Sequence, residues 1–434
     1  MTDIMTLASP PYWKLYRLGQ LFRERKEKGS DRDFLPLSVT MGGIVPQIET
    51  AAKTDDGDNR KIVRVGDYVI NSRSDRKGSG GISDREGSVS LISIVLEPRN
   101  IDPRFAHHLL RSPAFQEEFY RWGHGIVADL WTTRYADMKN IRLRVPELAI
   151  QRLIADFLDR ETARIDLLIE KKQRLVALLG EERGATITTL IMGGEGTAHR
   201  APRHSKWFPE LPSDWALARV KHVTTKISDG PHISPDYVDD GIPFISARNI
   251  KVDRWSLDDA KYISSELFKE LTRKSKPQVG DVLYTKGGTT GVARAVDLDF
   301  DFHIWVHVAL LKLRKRICNP QFLAYALNSV PCYEQSQLAT RGATNNDLGL
   351  IRIANIQIPL PPLDSQKQIV GRIDRSLSRI DKLTKTINAS IDRLKEYRSA
   401  LITAAVTGQV DVQTYTKSGT SDRRLDAIQE EMGA

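Results

Sequence analysis

"NIQIPLPPLDSQKQIVGRIDRSLSRIDKL", residues 355–383, has a looser counterpart earlier in the chain, "NIRLRVPELAIQRLIADFLDRETARIDLL", residues 140–168. The two stretches align without gaps at an offset of 215 residues, about half of the 434-residue chain. Fainter similarities precede both copies in the same order, namely "WKLYRLGQLF" with "WALARVKHVT", "VGDYVINS" with "VGDVLYTK", and "DPRFAHHLL" with "NPQFLAYAL". The chain is therefore a tandem repeat in which a variable region precedes a closely matching one.

The closely matching regions predict two long helices. Pro146 and Pro362 stand directly before them, where proline ends an extended segment, and no proline lies within either stretch. Asp364 is a predicted N-cap, and Gly193 and Gly408 lie where the helices are expected to end. Each helix of about 40 residues would be roughly 60 Å long.

Apolar residues recur along both helices at a spacing of seven, which predicts a coiled-coil interface. Lys172 interrupts the first series. The simplest partner for each helix is the other copy, and two-fold pairing of two similar halves makes the helices antiparallel, with the variable regions at opposite ends of a rigid rod. The alternative is that each helix packs on its own domain as ordinary core. The predicted interface residues are Leu158, Ile165, Leu168, Leu175 and Leu179 in the first copy and Ile373, Ile380, Ile387, Leu394 and Leu401 in the second.

The variable regions contain β-rich runs, turn-rich loops and helical patches, the patches lying at Phe105–Trp122 and Pro320–Ala339. We therefore predict an α+β fold, in which two mixed α/β domains are separated by two long antiparallel coiled-coil helices in a pseudo-two-fold internal repeat. The predicted boundaries are 1–148 for the first variable domain, 149–193 for the first helix, 194–206 for a linker, 207–362 for the second variable domain, 363–410 for the second helix and 411–434 for a tail.

Composition limits the function classes. The net charge of +9 and the pI near 9.3 are compatible with a polyanionic partner without requiring one. The only two cysteines, Cys318 and Cys332, exclude a disulfide framework and indicate a reducing compartment. No apolar run approaches the ~20 residues of a membrane span. Because the N-terminus also lacks a secretory signal, we expect a cytoplasmic protein with no membrane association.

No constellation of catalytic residues stands out in the sequence. A G-x-x-x-x-G-K-[ST] phosphate loop is absent, so ATP-driven translocation is not encoded. "SPPY" (Ser9–Tyr12) matches a short methyltransferase motif, but it precedes any sheet and lacks a glycine-rich cofactor loop, which favours an extended N-terminal segment. His303 and His307 lie in a strand-like context, which favours structural roles over metal binding. The two cysteines are predicted to be buried apolar residues. We expect a non-catalytic recognition subunit without a metal.

The repeat resembles the DNA-specificity subunit of type I restriction–modification systems over nearly the whole chain. The resemblance rests on residues 355–374 and 140–159, on the helix ends "RSALITAAVTGQVDV" and "RGATITTLIMGG", and on "SDGPHISPDYVDDGIPFISARNI" at residues 228–250. Ser365 departs from the glutamate more often found in the family. The first copy has "PELAIQ" in place of "PLPPLxxQ", and the first variable domain lacks the "DGPHxxPxY" stretch, so residue roles are not carried over to it.

The resemblance implies that each variable domain is a target recognition domain that reads one half of a split site in double-stranded DNA. The helices would set the gap between the halves and dock two modification subunits, which use S-adenosylmethionine to methylate adenine. Restriction subunits, motor nucleases that need ATP and Mg²⁺, would then join. The specificity subunit itself would hold no cofactor. The alternatives are a stand-alone coiled-coil regulator that binds specific DNA, a scaffold with no nucleic-acid role, and a fused enzyme whose catalytic domains are absent here.

Most of the predicted DNA-contacting residues lie in two glycine-rich basic loops that follow "VGD" in both halves, and the others lie in separate segments. Lys and Arg suit phosphate contacts, whereas Arg, Asn, Ser and Thr on protruding loops suit base readout. For each residue the alternative is a solvated loop charge or a turn residue. The predicted residues are Arg73, Ser74, Arg76, Lys77 and Arg134 in the first domain and His232, Arg248, Lys286, Thr289, Thr290, Arg341 and Asn345 in the second.

Overall fold

The computed structural model describes residues 9–48, 57–73, 76–125, 131–194, 199–342 and 346–412. The chain forms two compact units, the first made of residues 1–173 and 389–434 and the second of residues 174–388. The unit boundaries fall inside the two long helices, Leu148–Ile191 and Leu363–Val406, each of 44 residues. Each long helix therefore contributes to both units, whereas the predicted boundaries treat each helix as a separate spacer.

Antiparallel sheets form most of the first unit. The strands are β1 (Lys14–Arg17), β2 (Phe22–Glu24), β3 (Lys28–Gly29), β4 (Leu37–Thr40), β5 (Gly43–Pro46), β6 (Arg60–Val63), β7 (Tyr68–Asn71), β8 (Gly80–Ile82), β9 (Gly87–Val89), β10 (Ser93–Pro98) and β11 (Arg142–Val145). The central sheet has four strands in the order β2-β10-β7-β8, and a three-stranded sheet has the order β3-β6-β9. Strand β1 pairs with β11, and β4 pairs with β5.

The predicted helical patch of the first unit consists of two consecutive helices, Pro103–Arg111 and Pro113–Arg121. Asp102 caps the first helix, because its carboxylate accepts hydrogen bonds from the Arg104 and Phe105 amides at 3.0 and 3.1 Å. Proline occupies the first position of both helices, where no amide donor is needed. Two shorter helices are Leu18–Leu21 and Tyr135–Met138.

The second unit repeats the central sheet of the first. Its strands are β12 (Arg200–Pro202), β13 (Glu210–Pro212), β14 (Ala216–Arg219), β15 (Thr224–Asp229), β16 (Ile242–Ile245), β17 (Lys261–Ile263), β18 (Val282–Thr285), β19 (Ala293–Ala295), β20 (His303–Ile304), β21 (Val308–Leu313) and β22 (Gln357–Leu360). The central sheet has the order β15-β21-β18-β19. Strand β14 pairs with β22 as β1 pairs with β11 in the first unit. A three-stranded sheet, β17-β16-β20, includes the parallel pair β16–β20.

The helices of the second unit also follow the repeat. The Asn319 side chain accepts from the Phe322 amide at 3.0 Å and so caps the counterpart of the helix that Asp102 caps. One prediction needs correction, because Arg200–Pro202 of the predicted linker is a strand paired with Glu210–Pro212. The short helices are Val220–Val223, Ser265–Thr272, Pro320–Asn328, Val330–Ala339 and Leu350–Ala354, with a 3-10 turn at Ala247–Asn249.

Within each unit the two long helices run antiparallel, because the early part of one shares a core with the late part of the other. In the first unit Leu158, Ile165 and Leu168 share a hydrophobic cluster with Leu394 and Leu401. The same cluster contains residues of the sheet domain and its short helices. Both ways of burying the helices that the sequence left open, against the other copy and against their own domain, therefore occur together.

The second unit has the equivalent core, in which Leu179 shares a cluster with Ile373 and Ile380 and with the partly buried Ile387. The predicted antiparallel helix pairing is confirmed within each unit. Gly193 and Gly408 follow the helix ends with φ of 99° and 71°, a left-handed conformation suited to glycine, as predicted. None of the helices in the described ranges is long and apolar enough to span a membrane.

Leu175 departs from the predicted interface, since it is 40% exposed. Lys172, the residue that interrupts the apolar series, is only 5% exposed. A straight helix has 3.6 residues per turn and drifts against a strict seven-residue repeat. The inward position that follows Lys172 is therefore taken by the partly buried Val176 rather than by Leu175.

Candidate nucleic-acid interface

A buried glutamine fixes the start of each long helix to the domain before it. Gln151 Oε1 accepts from the Asp102 amide at 2.7 Å, and its Nε2 donates to the Pro146 carbonyl at 2.8 Å. Gln366 makes the same contacts in the second unit, with the Asn319 amide at 2.8 Å and the Pro361 carbonyl at 2.9 Å. The glutamine of the sequence repeat is thus a structural residue that orients the sheet domain on the helix.

An aspartate just over two turns further along each helix provides a second link. His108 Nε2 lies 2.7 Å from Asp159 Oδ1 in the first unit, and Tyr325 Oη donates to Asp374 Oδ1 at 2.6 Å in the second. Burial lowers the pKa of His108 and outweighs the opposing effect of Asp159. His108 therefore acts as a neutral donor, as the tyrosine does.

Two equivalent ion pairs join the long helices. Arg398 donates to Asp166 in the first unit through two nitrogens, at 2.9 and 3.1 Å. In the second unit Arg183 donates to Asp381 at 2.5 Å. Asp166 and Asp381 are equivalent in the repeat, as are Arg183 and Arg398, each pair being 215 residues apart. Each copy therefore supplies the acid to one pair and the base to the other.

The first glycine loop, residues 72–73 and 76–79, lies beside the segment that ends at Arg134. The Thr133 amide donates to the Ser72 carbonyl at 3.0 Å, and Arg73 forms a backbone bridge with Thr132. Arg73 and Arg134, far apart in sequence, are therefore brought into one region of the unit. Ser74, another predicted contact, lies outside the described residues.

The rest of this loop rests on the helix Pro113–Arg121. Lys77 forms an ion pair with Glu117, and its Nζ lies 5.5 Å from the centre of the Tyr120 ring. Tyr120 Oη donates to the Arg73 carbonyl at 3.4 Å, and the Arg76 amide donates to the same carbonyl at 3.2 Å. These contacts hold the backbone of the loop, while about half of the Lys77 side chain stays exposed.

The second glycine loop, residues 286–291, has the same arrangement. The Leu348 amide donates to the Lys286 carbonyl at 2.7 Å, and Gly287 bridges to Asp347, as Thr133 and Thr132 do with the first loop. Arg341 also bridges to Asp347, which places it beside the loop. Asn345 lies outside the described residues. The two loops and their partner segments are thus equivalent in backbone pairing.

Lys286 and Thr290 differ from the expected protruding side chains. Lys286 is 6% exposed, and its Nζ lies 3.4 Å from Asp229 and 3.2 Å from Asp347. Thr290 is buried and accepts a hydrogen bond from Gln337 through its carbonyl at 3.1 Å. Lys286 through its ion pairs and Thr290 through its carbonyl hold the loop in place, and neither side chain protrudes as expected.

The other predicted residues of the second unit are exposed. Arg248 is 57% exposed and forms a surface ion pair with Asp259 at 3.3 Å. His232 is exposed beside Asp229. Arg248 and Thr289 line a cleft of about 390 Å³ next to the second glycine loop. These three side chains can reach a ligand on the surface of this unit.

Sequence reasoning missed His124, which bridges to Thr132 as Arg341 bridges to Asp347. His124 and Arg341 are thus equivalent in backbone pairing. The sequence also gave no indication of a role for Tyr237 and Trp305, which line the same cleft as Arg248. Nothing in the local sequence indicates this cleft, because its walls come from separated segments.

Three side chains with other possible chemistry have structural positions. His303 is buried, its Nε2 2.9 Å from the Ser275 carbonyl, and burial lowers its pKa. Cys318 and Cys332 are buried, and burial raises the pKa of both thiols to about 12. The predicted structural roles of His303 and the two cysteines are confirmed.

Residues 212–393 match the family described as the type I restriction modification DNA specificity domain. The match covers most of the second variable domain and the first part of the second long helix.

Three similar proteins are type I restriction enzyme specificity subunits. The chain is 24% identical to the type I restriction enzyme EcoBI specificity subunit of Escherichia coli, over 64% of this chain and 60% of that one. It is 26% identical to the EcoKI specificity subunit of E. coli strain K12, over 46% and 44%. With the MjaVIII specificity subunit of Methanocaldococcus jannaschii it shares 21% identity over 94% and 95%. The matches to the two E. coli subunits thus span about half of their length.

Two solved structures share the fold. One is a chain from a type I restriction–modification system described for complex assembly and conformational transition, with a TM-score of 0.63, 19% identity, and coverage of 93% of this chain and 99% of that one. The other is the HsdS subunit of Thermoanaerobacter tengcongensis, with a TM-score of 0.50, 20% identity, and coverage of 93% and 98%. The predicted α+β fold class is confirmed.

Proposed function

We propose that this chain is the sequence-specific DNA-binding subunit of a type I restriction–modification complex. Each recognition domain reads one half of a bipartite site in double-stranded DNA, and the long helices set the spacer between the halves. One observation carries the proposal: a chain that matches the DNA specificity domain family over residues 212–393 holds two glycine loops with equivalent backbone pairing, each beside exposed basic residues.

The side chains around the loops support this role chemically. Arg73, Arg76, Lys77 and Arg134 come together in the first unit, and Arg248, His232 and Arg341 surround the loop of the second. Basic side chains neutralise phosphates, and guanidinium groups can also read guanine in the major groove. The two surfaces differ in residue identity, so they suit two different half-sites.

The subunit itself is proposed to be non-catalytic and to work in the cytoplasm. Two modification subunits that use S-adenosylmethionine would dock on the long helices, and restriction subunits that need ATP and Mg²⁺ would complete the complex. The solvent-facing sides of the two helices carry many charged residues, which suits docking of a second protein.

The decisive experiment is co-expression of this chain with its modification subunit, followed by single-molecule mapping of methylated adenine. The proposal expects methylation in one asymmetric motif of two parts separated by a fixed gap. A continuous motif, or no methylation, contradicts it. The absence of methylation together with specific DNA binding by the chain alone would instead indicate a stand-alone regulator.

Exchange of the loops assigns the half-sites. Replacing residues 72–79 with the loop of another specificity subunit is expected to change one half of the motif and leave the gap unchanged. Replacing residues 286–291 is expected to change the other half only. A change in both halves after either exchange would mean that the loops do not read DNA independently.

A further inference from the structure

The cleft beside the second glycine loop has the size and lining of a ligand site. Its volume is about 390 Å³, within the range typical of small-molecule pockets. The residues that line it include Tyr237, Arg248, Lys261, Gly288, Trp305 and His307.

Aromatic side chains form part of its walls. The rings of Trp305 and His307 meet edge to face, with 4.7 Å between their centres. Trp305 Nε1 donates to the Ile233 carbonyl at 3.3 Å, which holds the indole in place. Tyr237 is partly exposed and packs at a tilt against Phe244. Preorganised aromatic faces of this kind stack with nucleobases.

Cations accompany these aromatic rings. Lys261 Nζ lies 5.9 Å from the centre of the Tyr237 ring, and the Arg248 guanidinium also lines the cleft. The ion pair of Arg248 with Asp259 is exposed on both sides, so it contributes little stability and can exchange for a phosphate. The ligand that fits is therefore planar and carries a negative charge nearby.

The glycine loop shapes one side of the cleft. A Cβ at Gly287 would lie 1.9 Å from His307 Nδ1, so the loop can pack on this ring only without a side chain. A Cβ at Gly288 would meet nothing within 4 Å, and its φ of +69° favours glycine. A ligand can thus approach the loop backbone closely at Gly288.

The equivalent positions of the first unit lack this lining. Strand β10 of the first unit corresponds to β21 of the second, and on that alignment Ser90 and Ile92 stand where the second unit has Trp305 and His307. The aromatic lining is therefore not a general requirement of the recognition fold. It belongs to the particular task of the second unit.

We propose that this cleft binds one unstacked nucleobase of the DNA that the second recognition domain holds. The proposal rests on the proposed function, which brings duplex DNA to this surface. Extruding a base costs the energy of unpairing and unstacking, and this cost is lowest at a mismatched pair. A mismatch at the extruded position therefore tightens binding, whereas a mismatch at any position read in the stacked duplex weakens it.

The test uses the full chain together with its modification subunits and duplexes that carry the mapped target. Mismatches are placed one at a time at every pair of both half-sites, and dissociation constants are measured for the wild type and for Trp305→Ala, Tyr237→Ala and Trp305→Phe. Ile92→Ala in the first unit is the matched control. Free adenosine, cytidine, guanosine and thymidine monophosphates are titrated in parallel.

We expect one pair of the second half-site at which a mismatch tightens binding by about fivefold or more, because the mismatch lowers the cost of unpairing the extruded base. Trp305→Ala and Tyr237→Ala remove this gain, while Trp305→Phe and Ile92→Ala keep it. The proposal is overturned if no mismatch tightens binding, or if the gain persists in both alanine variants. Saturable binding of a free monophosphate that Trp305→Ala abolishes, without a mismatch effect, assigns the cleft to a free nucleotide instead. Equal affinity of the wild type for target and scrambled duplexes would show that the proposed function itself is wrong.

Discussion

Gln366 shows how a single side chain can define a repeat. Its side chain bonds to the Asn319 amide and to the Ile317 and Pro361 carbonyls, at 2.8 to 2.9 Å, and it is fully buried. Gln366→Ala leaves these backbone groups without their partner, and a buried unsatisfied group costs about 1–3 kcal/mol. We expect a loss of unfolding free energy of at least that size, measured by urea denaturation.

The matched control is Gln368→Ala, because Gln368 is exposed on the same helix two residues away. This substitution is expected to change the unfolding free energy by less than about 0.5 kcal/mol. Equal effects of the two substitutions would mean that the hydrogen bonds of Gln366 do not stabilise the fold.

His107 is expected to make the unfolding free energy of the first unit depend on pH. The second unit lacks this effect, since the counterpart of His107 there is Ala324. Burial, with a further contribution from the charge of Arg111, lowers the pKa of His107 to about 3. A histidine in the unfolded chain titrates near ~6.5, so between these values only the unfolded state binds the proton. Stability therefore rises with pH across this window and is lost as the pH falls from about 6.5.

His107→Gln is expected to reduce the slope of unfolding free energy against pH, between about pH 4 and 6.5, by up to one proton. His124→Gln alters an exposed histidine of the same unit and serves as the control. Urea titrations at a series of pH values measure both slopes. An unchanged slope in His107→Gln would show that this residue is protonated in the folded protein.

At the scale of the helix, Leu394 and Leu175 provide a buried and an exposed leucine for comparison. Leu394 is fully buried in the core of the first unit, whereas Leu175 is largely exposed. Leu394→Ala is expected to lower the unfolding free energy by about 2–5 kcal/mol, the usual cost of a cavity in a core. Leu175→Ala is expected to change it by less than about 0.5 kcal/mol, as surface substitutions do. Similar urea midpoints for the two variants would contradict the helix pairing.

The helices were predictable because their signals are periodic and local. The seven-residue spacing, the prolines before each helix and the glycines after it identify both elements, and Asp102 and Asn319 identify the caps of the shorter helices. Position 175 was not predictable in this way, because the drift between 3.6 residues per turn and a seven-residue repeat decides which neighbour turns inward.

The candidate interface was only partly predictable. The two glycine loops follow equivalent strands, so their correspondence is visible in the sequence. The burial of Lys286 is not, because Asp229 and Asp347, which surround its amine, are 57 and 61 residues away in the chain. The aromatic cleft likewise joins Tyr237, Arg248 and Trp305 from separate segments.

At the scale of the whole molecule, both long helices are continuous across the boundary between the two units, and the proposed function makes them the spacer. The unit boundaries, after Gln173 and after Asn388, occupy equivalent positions of the repeat. Insertion of seven residues at both boundaries preserves the phase of the helix pair. We expect a longer gap in the methylated motif with both half-sites unchanged, as measured by methylation mapping.

Insertion at one boundary alone is the control, because it offsets the two helices against each other and is expected to abolish methylation. An altered half-site after the double insertion, or an unaltered gap, would show that the helices do not set the spacer.

The ion pairs Asp166–Arg398 and Arg183–Asp381 bear on the origin of this architecture. Each copy carries an aspartate and, further along the same helix, the arginine that matches it. A single ancestral copy would therefore have been able to form both ion pairs with a second molecule of itself. Fusion of two such genes would then have inherited both contacts ready-made. The variable domains were afterwards free to diverge, while the contacts between the long helices stayed constant.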